Sequence, residues 1–514
     1  MRTRVVYLCL ASLVLAASVP PLNARAQRYD LLIINARVMD GMGNPWVRAD
    51  LGVAGDRIAA IGKLDGNAAR TIDANDQVLA PGFIDVHSHA GETLANETLR
   101  AAPPMIAQGV TTLVLNPDGG GPVDLAAQRA RFEQGGIGVN VALLIGHGRV
   151  RRTVMGTDRR DPTPEESTKM AELVQRAMDD GAFGLSSGLF YVPGRYAKTE
   201  EVIALARIAG ARGGVYSSHV RDEGDYGAGV VASIDEVIRI AEEAHLRGIV
   251  THMKALGPDN WGKSADLLRH LDAARARGVE VFADQYPYEA SSTTLQAALL
   301  PDLDKTDPEK RESIATGNLR RRGGPDSIVI AFCRSDRTLE GKSLTRIGQE
   351  RGVTPVAAAL DIIAKGGASI VSFNMSEKDI EAIMREPYTM ASSDGGLLEM
   401  GSGVPHPRNN GSFARRLARY VRERKVVSLE FAIRSMTSLP ALVFRMKDRG
   451  VIHEGAAADL VIFDPAKIQD QATYRNPHQL ATGVSYVLVN GELAMDNGKL
   501  TGKKAGIVLR ATGK

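Results

Sequence analysis

The middle of the chain alternates between short apolar runs and longer stretches whose apolar residues recur at helical spacing. Helices are predicted over Pro164–Asp180, Glu200–Ala211, Ser233–Leu246 and Ser264–Arg277. Strands are predicted over eight apolar runs: Pro81–Ala90, Gly109–Asn116, Val139–Gly148, Gly181–Gly188, Gly213–Val220, Gly248–Lys254, Val279–Tyr288 and Thr389–Gly396. This alternation predicts an α/β fold, a TIM-type (β/α)8 barrel. An open doubly wound sheet is the alternative, but no glycine-rich nucleotide motif follows the first strand.

The two ends of the chain have a different pattern. Short strands with glycine turns are predicted at the start, for example over Leu31–Ile34 and Arg57–Gly62, and again near the end, over Ala458–Pro465 and Ser485–Gly491. They predict one small β-sandwich domain formed by both terminal segments. Between the seventh and eighth barrel strands, residues 289–388 are too many for a simple loop and helix, so an insertion is expected there, with a lid as one role.

The first residues resemble a leader rather than a piece of the fold. Arg2 and Arg4 precede the apolar run Val5–Val19, which is short for a membrane span, and Ala24-Arg25-Ala26 offers a small-residue cleavage site. We therefore expect a signal peptide that is cleaved near Ala26 and an exported, periplasmic protein. An uncleaved anchor is the alternative. The expected division is a leader over 1–26, a first sandwich segment over 27–80, a barrel over 81–445 with its insertion at about 289–388, and a second sandwich segment over 446–514.

Composition changes this picture little. The 514 residues are 44% hydrophobic and 24% charged with a formal net charge of +3, which is typical of a globular protein. No strong field favours nucleic acid as a partner, or a membrane surface once the signal is removed. Cleavage would also remove Cys9 and leave Cys333 alone, so no intrachain disulfide is expected.

Histidines and aspartates collect where the predicted strands end, which is where TIM barrels carry their active sites. A single buried histidine is usually satisfied by a carbonyl, and a single aspartate often caps a helix. So many at one end of a barrel instead predict a metal site. The strand-end residues are His87, His89, Asp118, His147, His219, His252 and Asp394.

Imidazoles and carboxylates suit Zn²⁺, and a catalytic zinc site leaves one position for water. The candidate ligands are too many for one tetrahedral ion, so two neighbouring sites are plausible. Zinc brings the pKa of its water to roughly 7 and polarises a carbonyl. Asp394 would accept the proton of that water and pass it to a leaving nitrogen. The pattern indicates hydrolysis of an amide by zinc-bound hydroxide.

Several longer segments, in order along nearly all of the chain after the leader, carry a resemblance to a known family. They are Val78–His89, Gly188–Tyr196, Ser218–Gly224, Thr251–Gly257, Asp284–Tyr288, His406–Phe413, Met436–Pro440 and Lys447–Gly450. The chain resembles the D-aminoacylases (N-acyl-D-amino-acid deacylases) of the amidohydrolase superfamily. The resemblance implies a TIM barrel with a small β-sandwich and a late insertion. It also implies zinc-dependent hydrolysis of N-acyl amino acids, and only from it does a preference for the D-configuration follow.

Matched positions imply roles for the strand-end residues. His219 and His252 would hold a tightly bound zinc ion, and His87 and His89 a second, weaker site. Asp394 would be both ligand and catalytic acid–base.

Further matched positions imply how a substrate is held. Lys254, Tyr286 and Arg408 would bind its α-carboxylate, which agrees with the preference of an anion for a forked guanidinium and an ammonium. Tyr191 is a candidate wall of the pocket, and Tyr288 could replace Tyr286. The expected partner is therefore a small N-acyl amino acid or a dipeptide-like molecule. The oligomeric state is not indicated.

One position departs from the family. Where its members usually have Gly-Asn-Cys-Gly with a zinc-binding cysteine, this chain has Asn116-Pro117-Asp118-Gly119. A carboxylate can ligate or bridge zinc in place of the thiolate. Asp118 could instead be a turn residue before Gly119–Gly121. Whether the chain binds one ion or two stays open.

Three other functions are alternatives to this deacylase. Cyclic amidases of the superfamily use a carboxylated lysine near the fourth strand, and Gly181–Ser187 contains no lysine. A dipeptidase is harder to separate, because a dipeptide shares the carboxylate end of an N-acyl amino acid. A barrel that has lost catalysis and acts as a periplasmic binding protein would lack the base or some ligands, whereas all are present.

Overall fold

The structure, a computed structural model, describes residues 28–65 and 67–511. Its strands are β1 (Arg28–Val38), β2 (Val47–Ala54), β3 (Arg57–Gly62), β4 (Asn67–Asp73), β5 (Val78–Pro81), β6 (Phe83–Ser88), β7 (Val110–Leu115), β8 (Asn140–Leu143), β9 (Ile145–Gly146), β10 (Gly184–Gly188), β11 (Val215–His219), β12 (Arg247–Val250), β13 (Val281–Gln285), β14 (Ala290–Thr294), β15 (Ile328–Phe332), β16 (Ser369–Phe373), β17 (Thr389–Ala391), β18 (Leu460–Phe463), β19 (Val484–Val489), β20 (Glu492–Asp496) and β21 (Lys499–Leu500).

The helices are α1 (Pro103–Ile106), α2 (Leu125–Gly135), α3 (His147–Met155), α4 (Pro164–Asp179), α5 (Thr199–Ala211), α6 (Val230–Ala244), α7 (Ser264–Ala276), α8 (Leu295–Leu299), α9 (Arg311–Arg321), α10 (Leu344–Arg351), α11 (Pro355–Ala364), α12 (Glu377–Met384), α13 (Arg408–Arg415), α14 (Leu429–Met436) and α15 (Ser438–Val443). Within the described ranges, no helix combines the length and apolar character needed to span a bilayer. The predicted signal peptide lies outside these ranges.

The predicted TIM barrel is confirmed. Parallel strands run in the order β6-β7-β8 and β9-β10-β11-β12-β13-β17, and Leu144 alone separates β8 from β9. The barrel closes where Ser88 pairs in parallel with Gly395 and the Asp394 amide donates to the His87 carbonyl (2.9 Å). Because helices cover the outside and side chains fill the inside, strands such as β6 and β7 are buried on both faces, which explains their continuous apolar runs.

Two of the four predicted helices, α4 and α7, begin at the predicted residue, whereas α5 begins one residue and α6 three residues earlier than predicted. In α4, for example, the Thr163 hydroxyl accepts from the Glu166 amide (3.2 Å), and the Glu166 carboxylate accepts from the Thr163 amide (2.8 Å). This capping box, with Pro164 in the first turn, satisfies donors that the start of a helix leaves free.

Both ends of the chain build the predicted small β-domain. Its nine strands form one continuous sheet, because β5 from the first segment pairs antiparallel with β18 from the last. Residues from both segments, among them Ile33, Leu51, Leu460 and Leu488, share one buried core.

The insertion after β13 is confirmed and has a core of its own. Its antiparallel strands run in the order β14-β16-β15, and α8 to α11 pack on them around Leu299, Ile330, Ile347 and Ile362. After β16 the chain rejoins the barrel, since α12 contacts α7 and β13.

The last described residues return to the barrel, a course that the sequence did not indicate. The Val141 amide donates to the Ile507 carbonyl (3.0 Å), and the Ala511 amide donates to the Gly181 carbonyl (3.1 Å). The tail thereby ties β8 and the start of the fourth barrel unit to the small domain.

A buried charge network joins the barrel to the small domain. Asp459 accepts from Asn140 Nδ2 (2.9 Å) and from the Asn490 amide (2.7 Å), and it pairs with the Arg449 guanidinium. Asp459 and Arg449 are both buried. One carboxylate therefore holds a barrel strand, the turn after β19 and the segment before β18.

We predict that Asp459→Asn lowers the midpoint of thermal unfolding strongly, because it leaves the Arg449 charge buried without its partner, a loss of about 3–5 kcal/mol. Asp496→Asn is the matched control, since Asp496 pairs with Arg70 (2.7 Å) at the surface and such pairs contribute about 1 kcal/mol or less. Equal midpoints for the two variants would contradict this role of Asp459.

Candidate metal centre and substrate cavity

The predicted ligands lie at the carboxyl ends of the barrel strands. Asp118, His252 and Asp394 follow β7, β12 and β17 within three residues. All three have left-handed backbone, with φ of 55°, 36° and 48°. Residues other than glycine rarely adopt this conformation, and its cost is typical of functional sites. The backbone bends at each strand end so that these side chains turn toward the barrel axis.

One group of side chains lies at the β6 side of the barrel mouth. His87 Nε2 is 3.4 Å from Asp118 Oδ1 and 3.5 Å from Asp394 Oδ1. His89 Nε2 is 3.4 Å from Asp118 Oδ2 and 3.2 Å from Asp394 Oδ1. One donor atom from each of these four residues lies within 4.8 Å of all the others, a spacing that fits a single cation.

A second group lies beside the first. His219 Nδ1 is 2.8 Å from His252 Nε2, and Asp118 Oδ1 is 3.7 Å from the same His252 nitrogen. Asp118 Oδ2 is 4.0 Å from His219 Nδ1. Asp118 thus belongs to both groups, and its carboxylate lies between two adjacent candidate cation positions.

Unsatisfied buried atoms indicate that this arrangement suits a metal. Both ring nitrogens of His87 and Oδ1 of Asp118 are buried and have no hydrogen-bond partner among residues 28–65 and 67–511. Such groups are costly unless something binds them. No backbone amide of the described chain donates to the Asp118 carboxylate. The side chain therefore does not stabilise a turn by a hydrogen bond to the backbone in this structure. A divalent cation would satisfy His87 Nε2 and Asp118 Oδ1, which lie 3.4 Å apart.

The surroundings of the two aspartates favour their ionised forms. Burial opposes the charge of Asp394, but Arg408 and His252 outweigh it and hold the pKa of this carboxyl below its ordinary value. Burial also opposes the charge of Asp118, but His87 and His252 outweigh it and hold the pKa of this carboxyl well below its ordinary value. Both side chains can therefore act as anionic ligands, and Asp394 also as a proton acceptor.

Two carboxylates that the sequence analysis did not select lie beside the histidines. Glu223 Oε1 lies 3.0 Å from His252 Nδ1, and Asp284 Oδ1 accepts from the His252 amide (2.9 Å). Asp284 Oδ2 is 4.0 Å from His87 Nδ1. Carboxylates in such positions fix the orientation of ligand rings. Asp284 is the last residue but one of β13, so the same strand-end signal would have found it.

A cavity of about 710 Å³ opens over the metal groups. The predicted substrate residues Tyr191, Lys254, Tyr286 and Arg408 all line it, and the insertion supplies a wall through Ser291–Thr294. The alternative tyrosine, Tyr288, does not line this cavity. Its ring instead packs against His406, with centroids 5.1 Å apart, and under Arg415.

The predicted substrate residues contact one another and the metal groups. Arg408 Nη1 donates to Asp394 Oδ2 (2.7 Å), and its guanidinium lies 4.9 Å from the centre of the Tyr286 ring. Lys254 Nζ is 5.6 Å from the same ring centre and pairs with Glu223. The Tyr191 ring lies 4.7 Å from that of His219.

His147 is the strand-end histidine that the structure separates from the others. It is the first residue of α3, and its Nε2 lies 2.8 Å from Glu201 Oε1. Arg151 pairs with the same glutamate. His147 therefore belongs to a buried ion cluster behind the fourth strand.

Comparison with known proteins agrees with this geometry. Residues 70–311 and 318–495 match the model described as "Amidohydrolase family". A D-aminoacylase from Alcaligenes xylosoxydans xylosoxydans is 36% identical over 513 residues, covering 95% of this chain and 99% of that protein. An N-acyl-D-glutamate deacylase from the same organism is also 36% identical, covering 90% and 93%.

Solved structures give the same picture. An N-acyl-D-glutamate deacylase from Bordetella bronchiseptica, complexed with zinc and a phosphonate mimic of the tetrahedral intermediate, aligns with a TM-score of 0.82 at 35% identity and covers 94% of this chain and all of that one. A D-aminoacylase aligns with a TM-score of 0.83 at 34% identity over the same shares. The chain belongs to the N-acyl-D-amino-acid deacylase family of the amidohydrolase superfamily.

Proposed function

We propose that this protein is a zinc-dependent hydrolase that splits N-acyl-D-amino acids into a carboxylate and a free amino acid. The observation that carries the proposal is the shared position of Asp118 between two groups of metal-ligating side chains, beside the ionised Asp394. The relatives named above support both the reaction and the D-configuration.

The donor set supports zinc as the ion. His219, His252 and Asp118 would hold the tight ion, and His87, His89 and Asp394, with Asp118 between them, the second. When bound, zinc lowers the pKa of a water to about 7 and polarises the carbonyl of the scissile amide. A solved D-aminoacylase described by one-metal activation and second-metal attenuation supports unequal roles for the two positions.

Asp394 would move the protons. Its Oδ1 lies among the imidazoles of His87 and His89, whereas its Oδ2 accepts from Arg408. An ionised carboxylate at this place can accept the proton of the attacking water and give it to the leaving nitrogen. The amide bond breaks as that nitrogen becomes an amine.

The substrate α-carboxylate would bind at Arg408, Lys254 and Tyr286. Arg408 is paired with Asp394 in this structure, so an arriving carboxylate would compete for the guanidinium. Binding would draw Arg408 away from Asp394 and leave that carboxylate a stronger base. This coupling would restrict hydrolysis to molecules that carry the carboxylate.

Other functions receive less support. β10 contributes no lysine that could be carboxylated as in cyclic amidases. A binding protein without catalysis would not require Asp394 to be ionised beside the ligands. We also propose that the protein is exported to the periplasm, on the support of its basic start, apolar run and Ala24-Arg25-Ala26.

Purified protein is expected to contain zinc and to release free amine from N-acetyl-D-amino acids faster than from the L-forms. Asp394→Asn should lower kcat by about 100-fold or more, because the proton acceptor is lost. Its tight-site zinc, measured by atomic absorption, should remain, since His219, His252 and Asp118 are unchanged.

The control is Asp266→Asn, which removes an exposed carboxylate that pairs with Arg269. It should retain the activity of the unmodified protein. Full activity of Asp394→Asn, or active protein free of zinc after dialysis against a chelator, would contradict the mechanism.

The amount of zinc bound to variants at position 118 tests whether Asp118 is a ligand. Asp118→Ala should reduce the zinc bound per chain, because both groups lose a shared anionic ligand, whereas Asp118→Cys should keep the tight ion because a thiolate also ligates zinc. Asp259→Ala, at an exposed site, serves as the control. Unchanged zinc in Asp118→Ala would show that the residue is not a ligand.

A further inference from the structure

Among residues 28–65 and 67–511, three lysine and arginine side chains line the substrate cavity: Lys254, Arg322 and Arg408. Two of them are neutralised by the protein itself. Lys254 pairs with Glu223, and Arg408 pairs with Asp394. Arg322 forms no ion pair with any carboxylate of residues 28–65 and 67–511. Arg322 is thus the cationic side chain of the cavity that no carboxylate of the described chain neutralises.

The burial of Arg322 makes this lack of a partner significant. Only 3% of the residue is exposed, and it directly follows α9 in the insertion. Its Nε donates to Tyr226 Oη (2.6 Å), and Nη1 donates to the Asn374 amide oxygen (3.2 Å), which also accepts from Ser291 Oγ (2.9 Å). These partners are neutral. They fix the plane of the guanidinium and leave its charge uncompensated, which is costly at a buried position.

Arg322 lies away from the place where the α-carboxylate must bind. It reaches the metal histidines only through a row of ring contacts: its guanidinium is 5.8 Å from the Tyr226 ring centre, Tyr226 is 5.5 Å from Phe190, and Phe190 is 5.9 Å from His219. The α-carboxylate is attached to the carbon that bears the scissile nitrogen, so it stays near Asp394 and Arg408. Arg322 therefore faces a more distant region of the substrate.

We propose that Arg322 binds a second carboxylate of the substrate, carried either by the amino-acid side chain or by the acyl group. The guanidinium fork matches a carboxylate in geometry and charge, and its two fixed neutral contacts hold it ready. The preferred substrate is then a dianionic N-acyl amino acid. This inference rests on the proposed function and adds the substrate class to it.

The test compares substrates that differ in one charge. N-acetyl-D-glutamate is paired with N-acetyl-D-glutamine for the side chain, and N-succinyl-D-alanine with N-butyryl-D-alanine for the acyl group. The unmodified protein should favour the dianionic member of one pair by about 30-fold or more in kcat/KM. Arg322→Gln should abolish that preference while the monoanionic member changes by less than about 3-fold, and Arg322→Lys should restore some of it.

The matched control is Arg321→Gln, because Arg321 is the neighbouring arginine, pairs with Asp225 (3.5 Å) and does not line the cavity. It should leave the preference unchanged. Equal losses on both members of a pair in Arg322→Gln, or no preference for a dianion in the unmodified protein, would overturn the proposal.

Failure of the proposed function would look different, since no N-acyl amino acid would be hydrolysed at all. Calorimetric binding of N-acetyl-D-glutamate and N-acetyl-D-glutamine, and of N-succinyl-D-alanine and N-butyryl-D-alanine, then decides the role of Arg322. Tighter binding of a dianion that is lost in Arg322→Gln supports the role, and equal binding within both pairs contradicts it.

Discussion

The position of the Asp118 carboxylate between four imidazoles is the constraint on which the site depends. It faces His87 and His89 on one side and His219 and His252 on the other. These residues come from four barrel strands or the loops after them, so they meet only because the barrel closes. That closure, between β6 and β17, also brings Asp394 beside His87. The candidate metal site therefore depends on the closure of the barrel.

The sequence was sufficient for the barrel because strands buried on both faces are apolar throughout and alternate with amphipathic helices. It also selected side chains that the structure brings together, since function collects at strand ends in this fold. It did not reveal Glu223 or Arg322, because their roles depend on which side chains meet across different units. His147 is the opposite case. It also follows a barrel strand, but its ring contacts Glu201 and not the metal groups. The left-handed backbone conformation of Asp118 is likewise visible only in the three-dimensional structure.

Charge pairing connects the centre to the substrate cavity. Resident carboxylates already neutralise Lys254 and Arg408, so a substrate carboxylate that binds there, as proposed, would exchange with them rather than fill an empty charge site. Such an exchange would link recognition of the α-carboxylate to the basicity of Asp394. The insertion adds a wall with Ser291–Thr294 and the uncompensated Arg322, so selectivity can change there without disturbing the barrel.

The central claim is that Asp118 ligates zinc together with His219 and His252. X-ray data collected on both sides of the zinc absorption edge from crystals of the purified protein test it most directly. The account predicts an anomalous peak within about 2.0–2.2 Å of one nitrogen of each histidine and of one Asp118 oxygen. A peak that these histidines hold while Asp118 points away, or no zinc peak at this end of the barrel, would contradict it.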